Sequence, residues 1–404
     1  MQQAVIKFET VKKLAKYSIP SKDLASLDQL QSSSPPSVFV GSKLKYPEVN
    51  VGILSPVKQQ YDNSWVYDAP AYWADHSLGI QDILNLRAQM VNARFRSQVS
   101  DARGKKNMLN IAKEIALAAR PVDLEMQFKH KLQSHHGSDR VVTPHGIQGQ
   151  LEQARITSNV SIPQRVESVV NDNLKAADAL IDLYDHHVDS YALSKILSIG
   201  VLGLKKNKKL VPTRWSITTT DDTLGKHLLE GIRDYPVIND FQLFTGSFLG
   251  NEYLVCLLPN VFSYELFELY LPGSSWNSTS TMKASTDYEN YHGRKNYATS
   301  TQGGYYAARL PILEYLHSIK KQASVLVFRL ELASYWAALG VWVVRESVRK
   351  AIHNKPENFS SLNSLLSHVK KTSYDQFHFD CSELLGKSKL LGTVKNQTNL
   401  RRFF

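Results

Sequence analysis

The sequence predicts an α+β fold: a mixed sheet packed with amphipathic helices, followed by a flexible C-terminal tail. Three observations lead there. Short apolar runs sit between Gly and Pro punctuation, as strands and turns do. Several longer stretches keep apolar residues at helical spacing. The two kinds of segment mix without strict βαβ alternation and without any repeat of roughly 20–50 residues. The chain has 404 residues, enough to bury a sizeable core in about two or three domains.

Residues 1–36 read as an appendage and linker. Val5, Phe8, Val11 and Leu14 form one apolar stripe, and Gln31-Ser32-Ser33-Ser34-Pro35-Pro36 ends it. The α+β body occupies 37–284 and 285–386, and a basic tail fills 387–404. Strands and turns open the body from Val38, broken at Gly41, Pro47, Gly52 and Pro56. Helical spacing then predicts helices over 80–99 and 105–120, the second stopped by Pro121. The clearest helix is expected over 165–189, where Val166, Val169, Val170, Leu174, Ala177, Leu180, Ile181 and Tyr184 share a face. Alternation predicts a strand over 214–220, with Thr220, Asp221 and Asp222 capping a helix over 223–234. Further strands are expected at 241–248, 253–258 and 323–330, and a long helix over 332–352.

Charge and cysteine usage limit the function. The 48 basic and 37 acidic residues leave a net charge of +11, which favours nucleic acid or another anionic surface as partner. Cys256 and Cys381 are the whole cysteine complement, too few for a disulfide framework or a Cys-based zinc site. A reducing, cytoplasmic compartment fits. No signal-peptide core precedes Tyr17, and the most apolar region, 323–344, is interrupted by Arg329 and Glu331, so no membrane association is expected.

Gln397-Thr398-Asn399-Leu400-Arg401-Arg402-Phe403-Phe404 places two aromatic rings where the fold itself gives them no use. Gln397, Leu400, Phe403 and Phe404 match the Q-x-x-Ψ-x-x-aromatic-aromatic pattern of peptides that bind the DNA sliding clamp. In a 3₁₀ turn Leu400 and Phe403 eclipse on one face and Phe404 widens it. Burying each such side chain is worth about 1.5–3 kcal/mol. Three of them offset the ordering of a flexible tail and leave an affinity near about 1 μM. Lys387, Lys389, Lys395, Arg401 and Arg402, without an acidic residue among 387–404, favour an acidic partner surface or nearby DNA. The alternative is a tail folded back on its own domain.

Residues 285–310 hold the densest polar and aromatic cluster. Tyr297, Tyr305 and Tyr306 can stack on bases while Arg294 and Arg309 neutralise phosphates, the chemistry of a single-strand groove. Asp287 and Glu289 can instead hold a divalent ion, with Arg294 or Arg309 steadying phosphate in a catalytic pocket. The third reading is a Gly-rich turn with packed tyrosines. Lys205, Lys206, Lys208, Lys209 and Arg214, just before Trp215, can clamp a nucleic-acid backbone or form a solvated loop. Asp185-His186-His187 is similar to the signature of a phosphoesterase family with paired histidines, but it lies at a helix end and lacks companion aspartates, and His135, His136 and His145 can bind zinc in principle but match no closed-site spacing, so an ordinary loop is expected there. No P-loop, dinucleotide fingerprint or nucleophile elbow is present.

Several segments in order resemble one family, the archaeal Nre DNA repair proteins, of the NreA type. They are Ser37-Val38-Phe39-Val40-Gly41 with Tyr46-Pro47-Glu48-Val49-Asn50-Val51-Gly52, and Lys209-Leu210-Val211-Pro212-Thr213-Arg214-Trp215-Ser216-Ile217 with Asp221-Asp222-Thr223. Phe248-Leu249-Gly250-Asn251, Gly303-Gly304-Tyr305-Tyr306-Ala307-Ala308-Arg309-Leu310 and Leu339-Gly340-Val341-Trp342 complete the set. The resemblance implies a role in the response to DNA damage and docking of the tail motif to the sliding clamp PCNA. Many relatives carry a cysteine-rich, zinc-binding segment near the amino terminus, but residues 1–37 hold no Cys, so no zinc finger is transferred. The family supplies no catalytic residue.

The expected function is therefore a DNA repair factor recruited by PCNA, nucleoid-associated when clamp-bound. One alternative is a metal-dependent enzyme, nuclease-like or nucleotide-processing, using a divalent metal at Asp287 and Glu289. Another is a non-catalytic adaptor that touches only proteins.

Overall fold

A computed structural model describes residues 27–42, 44–57, 63–132 and 142–396. These residues form two six-stranded mixed sheets and twelve α-helices, in two compact units. The first unit runs to Leu224 and takes back Ala337–Trp342; the second comprises Gly225–Trp336 and the chain from Val343. Among the described residues no helix is long and apolar enough to cross a membrane.

In the first unit the strands are β1 (Gln29–Ser34), β2 (Val38–Val40), β3 (Glu48–Pro56), β4 (Met90–Gln98), β5 (Val122–Phe128) and β6 (Gln148–Ile156). Their order is β1-β5-β6-β4-β3-β2, with every pair antiparallel except β4 and β6. Val49, Val51 and Ile53 of β3 and Val91, Ala93 and Phe95 of β4 are buried at alternate positions, as one face of a pleated sheet requires. The helices are α1 (Pro70–Asp75), α2 (Ile80–Ala88), α3 (Asn107–Leu117), α4 (Gln164–Asn171), α5 (Ala176–Asp185), α6 (Ser190–Ser198) and α7 (Thr213–Ile232), the last continuing past Leu224. Buried Arg87 of α2 donates to Asp68 at 2.9 Å, and Lys195 of α6 reaches the other carboxylate oxygen at 3.0 Å. Burial alone would raise the Asp68 pKa, but Lys195 and then Arg87 overcome it and hold the carboxyl at about 2.

The second unit is built on β7 (Phe241–Phe248), β8 (Asn251–Leu258), β9 (Ser263–Tyr270), β10 (Lys283–Glu289), β11 (Ser324–Glu331) and β12 (Glu357–Phe359). Their order is β10-β9-β11-β8-β7-β12, and the β9 and β11 pair is parallel. Helices cover both faces: α8 (Gln302–Ser318) and α9 (Trp342–His353) lie on one, and α10 (Leu362–Phe377), α11 (Ser382–Lys387) and α12 (Lys389–Asn396) on the other. On the α10 side, Cys256, Phe267, Leu326, Phe328 and Leu330 pack with Leu365, Val369, Leu390 and Leu391 in one apolar cluster. Phe267 and Phe328 stack at 5.4 Å within it. Cys256 and Cys381 are both buried free thiols.

Two segment boundaries move: residues 29–34, expected within the appendage and linker, form β1, whose Leu30, Ser32, Ser33 and Ser34 are buried as it pairs with β5, and residues 389–396, expected in the flexible tail, form α12, whose Leu390 and Leu391 are buried in the second unit. Four element expectations also need correction. The 80–99 segment divides into α2 and β4, because Ala93, Phe95 and Ser97 are buried alternately with Arg94, Arg96 and Gln98, and that period of two overrides helical continuity. The 165–189 helix breaks into α4 and α5 at Asp172, whose carboxylate accepts the Asn173 N–H at 2.7 Å in competition with the helix ladder. The 214–220 strand is instead the first turns of α7. Its β-branched residues misled the propensity argument, and Thr218 satisfies its hydroxyl on the Arg214 and Trp215 carbonyls within the helix. Finally, α9 starts only at Trp342, after Gly340 at φ +102° turns the chain.

Candidate functional site

The lysine run lies in the first unit. A single 3₁₀ turn, Lys205–Asn207, places Lys205 and Lys206 in solvent, Lys209 is exposed just after it, and Lys208 is half-buried. The turn is fastened to the 3₁₀ segment Val99–Arg103 that follows β4. The Arg103 guanidinium donates to the Lys206 carbonyl at 3.3 Å, and the Leu210 N–H donates to the Val99 carbonyl at 2.9 Å. Lys208 Nζ donates to the Val170 carbonyl at the end of α4, and Lys113 of α3 donates to the Ala102 and Gly104 carbonyls.

Cations from three separate stretches therefore converge. Burial and the charge of Lys208 pull the Lys113 pKa down; burial and the charge of Lys205 do the same to Lys208. Like charges held close at a partly dry surface gain from an anion laid across them, and a nucleic-acid backbone supplies one in quantity. Arg214 is half-buried at the start of α7, and Trp215 beside it is 53% exposed, an indole face open for stacking. Arg103 and Lys113 were absent from the sequence-based set. The run Arg103-Gly104-Lys105-Lys106 could have signalled the first; the second comes from a separate helix and is visible only in three dimensions.

The 285–310 cluster lies in the second unit, on the sheet face beneath α8. Asp287 is buried and accepts the Ser300 and Thr301 N–H groups at 2.9 and 2.8 Å and the Thr301 hydroxyl at 3.0 Å, just ahead of α8. Arg294 pairs with it at 3.0 Å, donates to the Tyr288 carbonyl at 2.8 Å and lies over the Tyr305 ring. Glu289 and Arg309 form a buried pair at 2.5 Å. Tyr305 and Tyr306 are buried, the Tyr306 hydroxyl accepting the Ala298 N–H, whereas Tyr297 is 48% exposed. The four charged candidates are thus brought together as two ion pairs that knit β10, the 290–301 loop and α8. Of Tyr297, Tyr305 and Tyr306, Tyr297 is the ring that faces solvent.

A second buried network shares that sheet face. Arg329 of β11 donates to Glu268 at 2.7 Å, to Glu331 at 3.0 Å and to the Asn251 side-chain oxygen at 2.7 and 2.9 Å. Tyr270 donates to Glu268 at 2.7 Å, and Ser275 donates to Glu331 at 3.0 Å. Burial pushes the Glu331 carboxyl up to about 7, against the opposing pull of Arg329. Charges at alternate positions of an otherwise apolar strand fall on one face, so the 329 and 331 spacing carried this signal in the sequence.

Among the described residues the histidines add no metal centre. His186 and His187 close α5, with His186 paired to Asp182 at 3.5 Å, and His145 is buried against Asn92 at 3.1 Å. His135 and His136 lie outside the described residues. Among the described residues no group of three or more His, Cys, Asp and Glu side chains is arranged to hold a metal ion. Gln397, Leu400, Phe403 and Phe404 also lie outside the described residues; the described chain ends at Asn396, the last residue of α12.

Sequence comparison adds the family context. The family described as Archaeal Nre, N-terminal, matches residues 7–277, and Archaeal Nre, C-terminal, matches 289–403. The chain is 36% identical over 384 residues to DNA repair protein NreA of Archaeoglobus fulgidus, covering 95% of this chain and 92% of that protein. It is 36% identical over 334 residues to DNA repair protein NreA of Haloferax volcanii, covering 81% and 79%. To DNA repair protein NreB of Archaeoglobus fulgidus it is 34% identical over 367 residues, covering 91% and 90%. No solved structure matches the chain. With both halves matched and relatives aligned over nearly their full length, the chain belongs to the archaeal Nre family.

Proposed function

We propose that this protein is a DNA repair factor that the sliding clamp PCNA recruits through Gln397, Leu400, Phe403 and Phe404, and that grips the DNA backbone with the basic surface of its first unit. The DNA repair role is supported by the names of three relatives that align over most of their length. The observation that carries the DNA contact is the convergence of Arg103, Lys113, Lys205, Lys206 and Lys208 from three segments tied together by hydrogen bonds, with burial and then neighbouring positive charge lowering the pKa values of Lys113 and Lys208. Recruitment rests on the octapeptide itself. A clamp tether raises the local concentration of the body at DNA being copied or repaired, so a modest intrinsic DNA affinity suffices.

The enzyme alternative receives less support. Asp287 and Glu289 spend their oxygens on Arg294, Arg309 and the start of α8, which leaves little for a metal ion.

Fluorescence anisotropy on a labelled duplex tests the DNA contact. The Lys205→Glu, Lys208→Glu double variant should bind at least tenfold more weakly, and the slope of log K against log salt should fall by about 2. An unchanged slope would show that the phosphates are held elsewhere. Incubation of nicked, branched and cross-linked DNA with Mg²⁺ or Mn²⁺ separates binding from catalysis, since a binding factor leaves every substrate intact.

A further inference from the structure

We infer that the clamp does not hold this protein by a loose string: helix α12 is packed on the second unit and ends at Asn396, the residue before the octapeptide, so that the clamp meets a second, basic surface formed by Lys389, Thr393, Lys395 and Asn396. The inference rests on the recruitment reading above and adds a contact outside the motif.

The anchoring is specific. Glu265 of β9 is fully buried, and its carboxylate accepts the Ser388 hydroxyl and the backbone N–H groups of Lys389 and Leu390, the latter two at 3.1 and 3.0 Å. A buried anion is thereby matched to the unsatisfied N–H groups at the first turn of α12. Leu390 and Leu391 are buried in the apolar cluster of the second unit, and Val394 packs against its edge. Tyr288 of β10 approaches Thr393 at 3.5 Å between hydroxyls. The helix is therefore held at its start by hydrogen bonds and along its length by packing, up to the turn that ends at Asn396.

Gln397 follows Asn396 directly, and consecutive Cα atoms lie only about 3.8 Å apart. A clamp that seats Gln397 in a pocket has no slack between that pocket and the body. Whatever part of its surface borders the pocket faces the exposed end of α12. The exposed face of that helix carries Lys389 at its start and Lys395 beside Asn396, with no acidic residue from Lys387 to Asn396, so the complementary clamp surface is acidic. The second unit of the recruited protein is consequently presented in one orientation rather than swinging about the clamp.

Four chains test this: the native one, one carrying about twelve Gly/Ser residues between Asn396 and Gln397, which add an r.m.s. reach of about 20 Å, and each of these two with Lys389→Glu and Lys395→Glu. Calorimetry against the sliding clamp should show the insertion chain still binding. The charge reversals should weaken the native-linkage chain by about five- to tenfold and leave an insertion chain carrying the same reversals within about twofold of its parent. Spin labels on the clamp and at Gln376→Cys of α10 should give one narrow distance for the native chain and a broad distribution for the insertion chain. Equal broadening in both, or equal sensitivity of both to the charge reversals, overturns the inference and leaves recruitment standing. If neither native nor insertion chain binds, recruitment itself fails and the inference with it.

Discussion

Replacing Arg329 with Met separates a structural from a catalytic role for the polar sheet face of the second unit. Arg329 is 6% exposed and directs its guanidinium to Glu268, Glu331 and Asn251, so Met fills much of its volume but removes every donor. Two carboxylates are left buried without their cation, and breaking a buried pair in this way costs about 3–5 kcal/mol. The pH dependence follows from Glu331. Its folded pKa, about 7, lies above the unfolded value near 4.5, so the folded state holds the extra proton between them. Native stability therefore falls as pH rises from about 4.5 to 7, by roughly 3 kcal/mol in total for this group. Without Arg329 the same carboxyl is still harder to ionise, and the variant should recover part of its loss as pH drops from 8 to 5.5. Urea unfolding at the two pH values, followed by far-UV circular dichroism, measures this. A loss below about 1 kcal/mol at pH 8 with no recovery at pH 5.5 would mean that the carboxylates are hydrated. The face would then be a solvent-filled site, and the argument for a structural network would fail.

Other consequences are more local. Asp68, whose folded pKa of about 2 lies below the model-compound value of 3.8, contributes stability that is full above 3.8 and lost as pH falls through 2. Asp68→Asn should cost about 2 kcal/mol or more at pH 7 and flatten the acid limb of the stability curve below pH 4, as thermal melts from pH 7 to 2 would reveal. Gly304→Ala places a methyl group against the Glu268 carboxylate, which Arg329 and Tyr270 hold in place, so it should destabilise the protein by about 1–3 kcal/mol; an unshifted urea midpoint would show that α8 can retreat. Trp215→Ala should leave the melting temperature within about 1 °C of the parent because the ring is half in solvent, while quenching of tryptophan fluorescence by single-stranded DNA should fall if that ring stacks on bases.

Elements with one dominant period were legible in the sequence. The strands expected at 241–248, 253–258 and 323–330 recur as β7, β8 and β11 within two residues, because their apolar residues lie between turn residues, and β8 and β11 are covered on both faces. Segments in which two signals compete misled. The Ile217 to Thr220 run carries strand propensity, but the hydroxyls of Ser216 and Thr218 close on preceding carbonyls and the helix persists. Asp221 is then buried inside α7 rather than capping a helix. Residues 285–310 showed their density of charge but not its pairing, since Arg309 meets Glu289 only when α8 crosses β10, a contact with no sequence periodicity. Likewise the five-residue lysine and arginine set was readable as composition, while Arg103 and Lys113 joined it through tertiary folding.

Recruitment by the sliding clamp is tested most directly by calorimetry of the full chain and its Phe403→Ala, Phe404→Ala variant against the clamp. The parent should bind at about micromolar affinity, and the variant should lose roughly 3 kcal/mol or more, about a hundredfold in affinity, with an unchanged melting temperature. Equal affinity for both chains, or no binding by the parent, would contradict it.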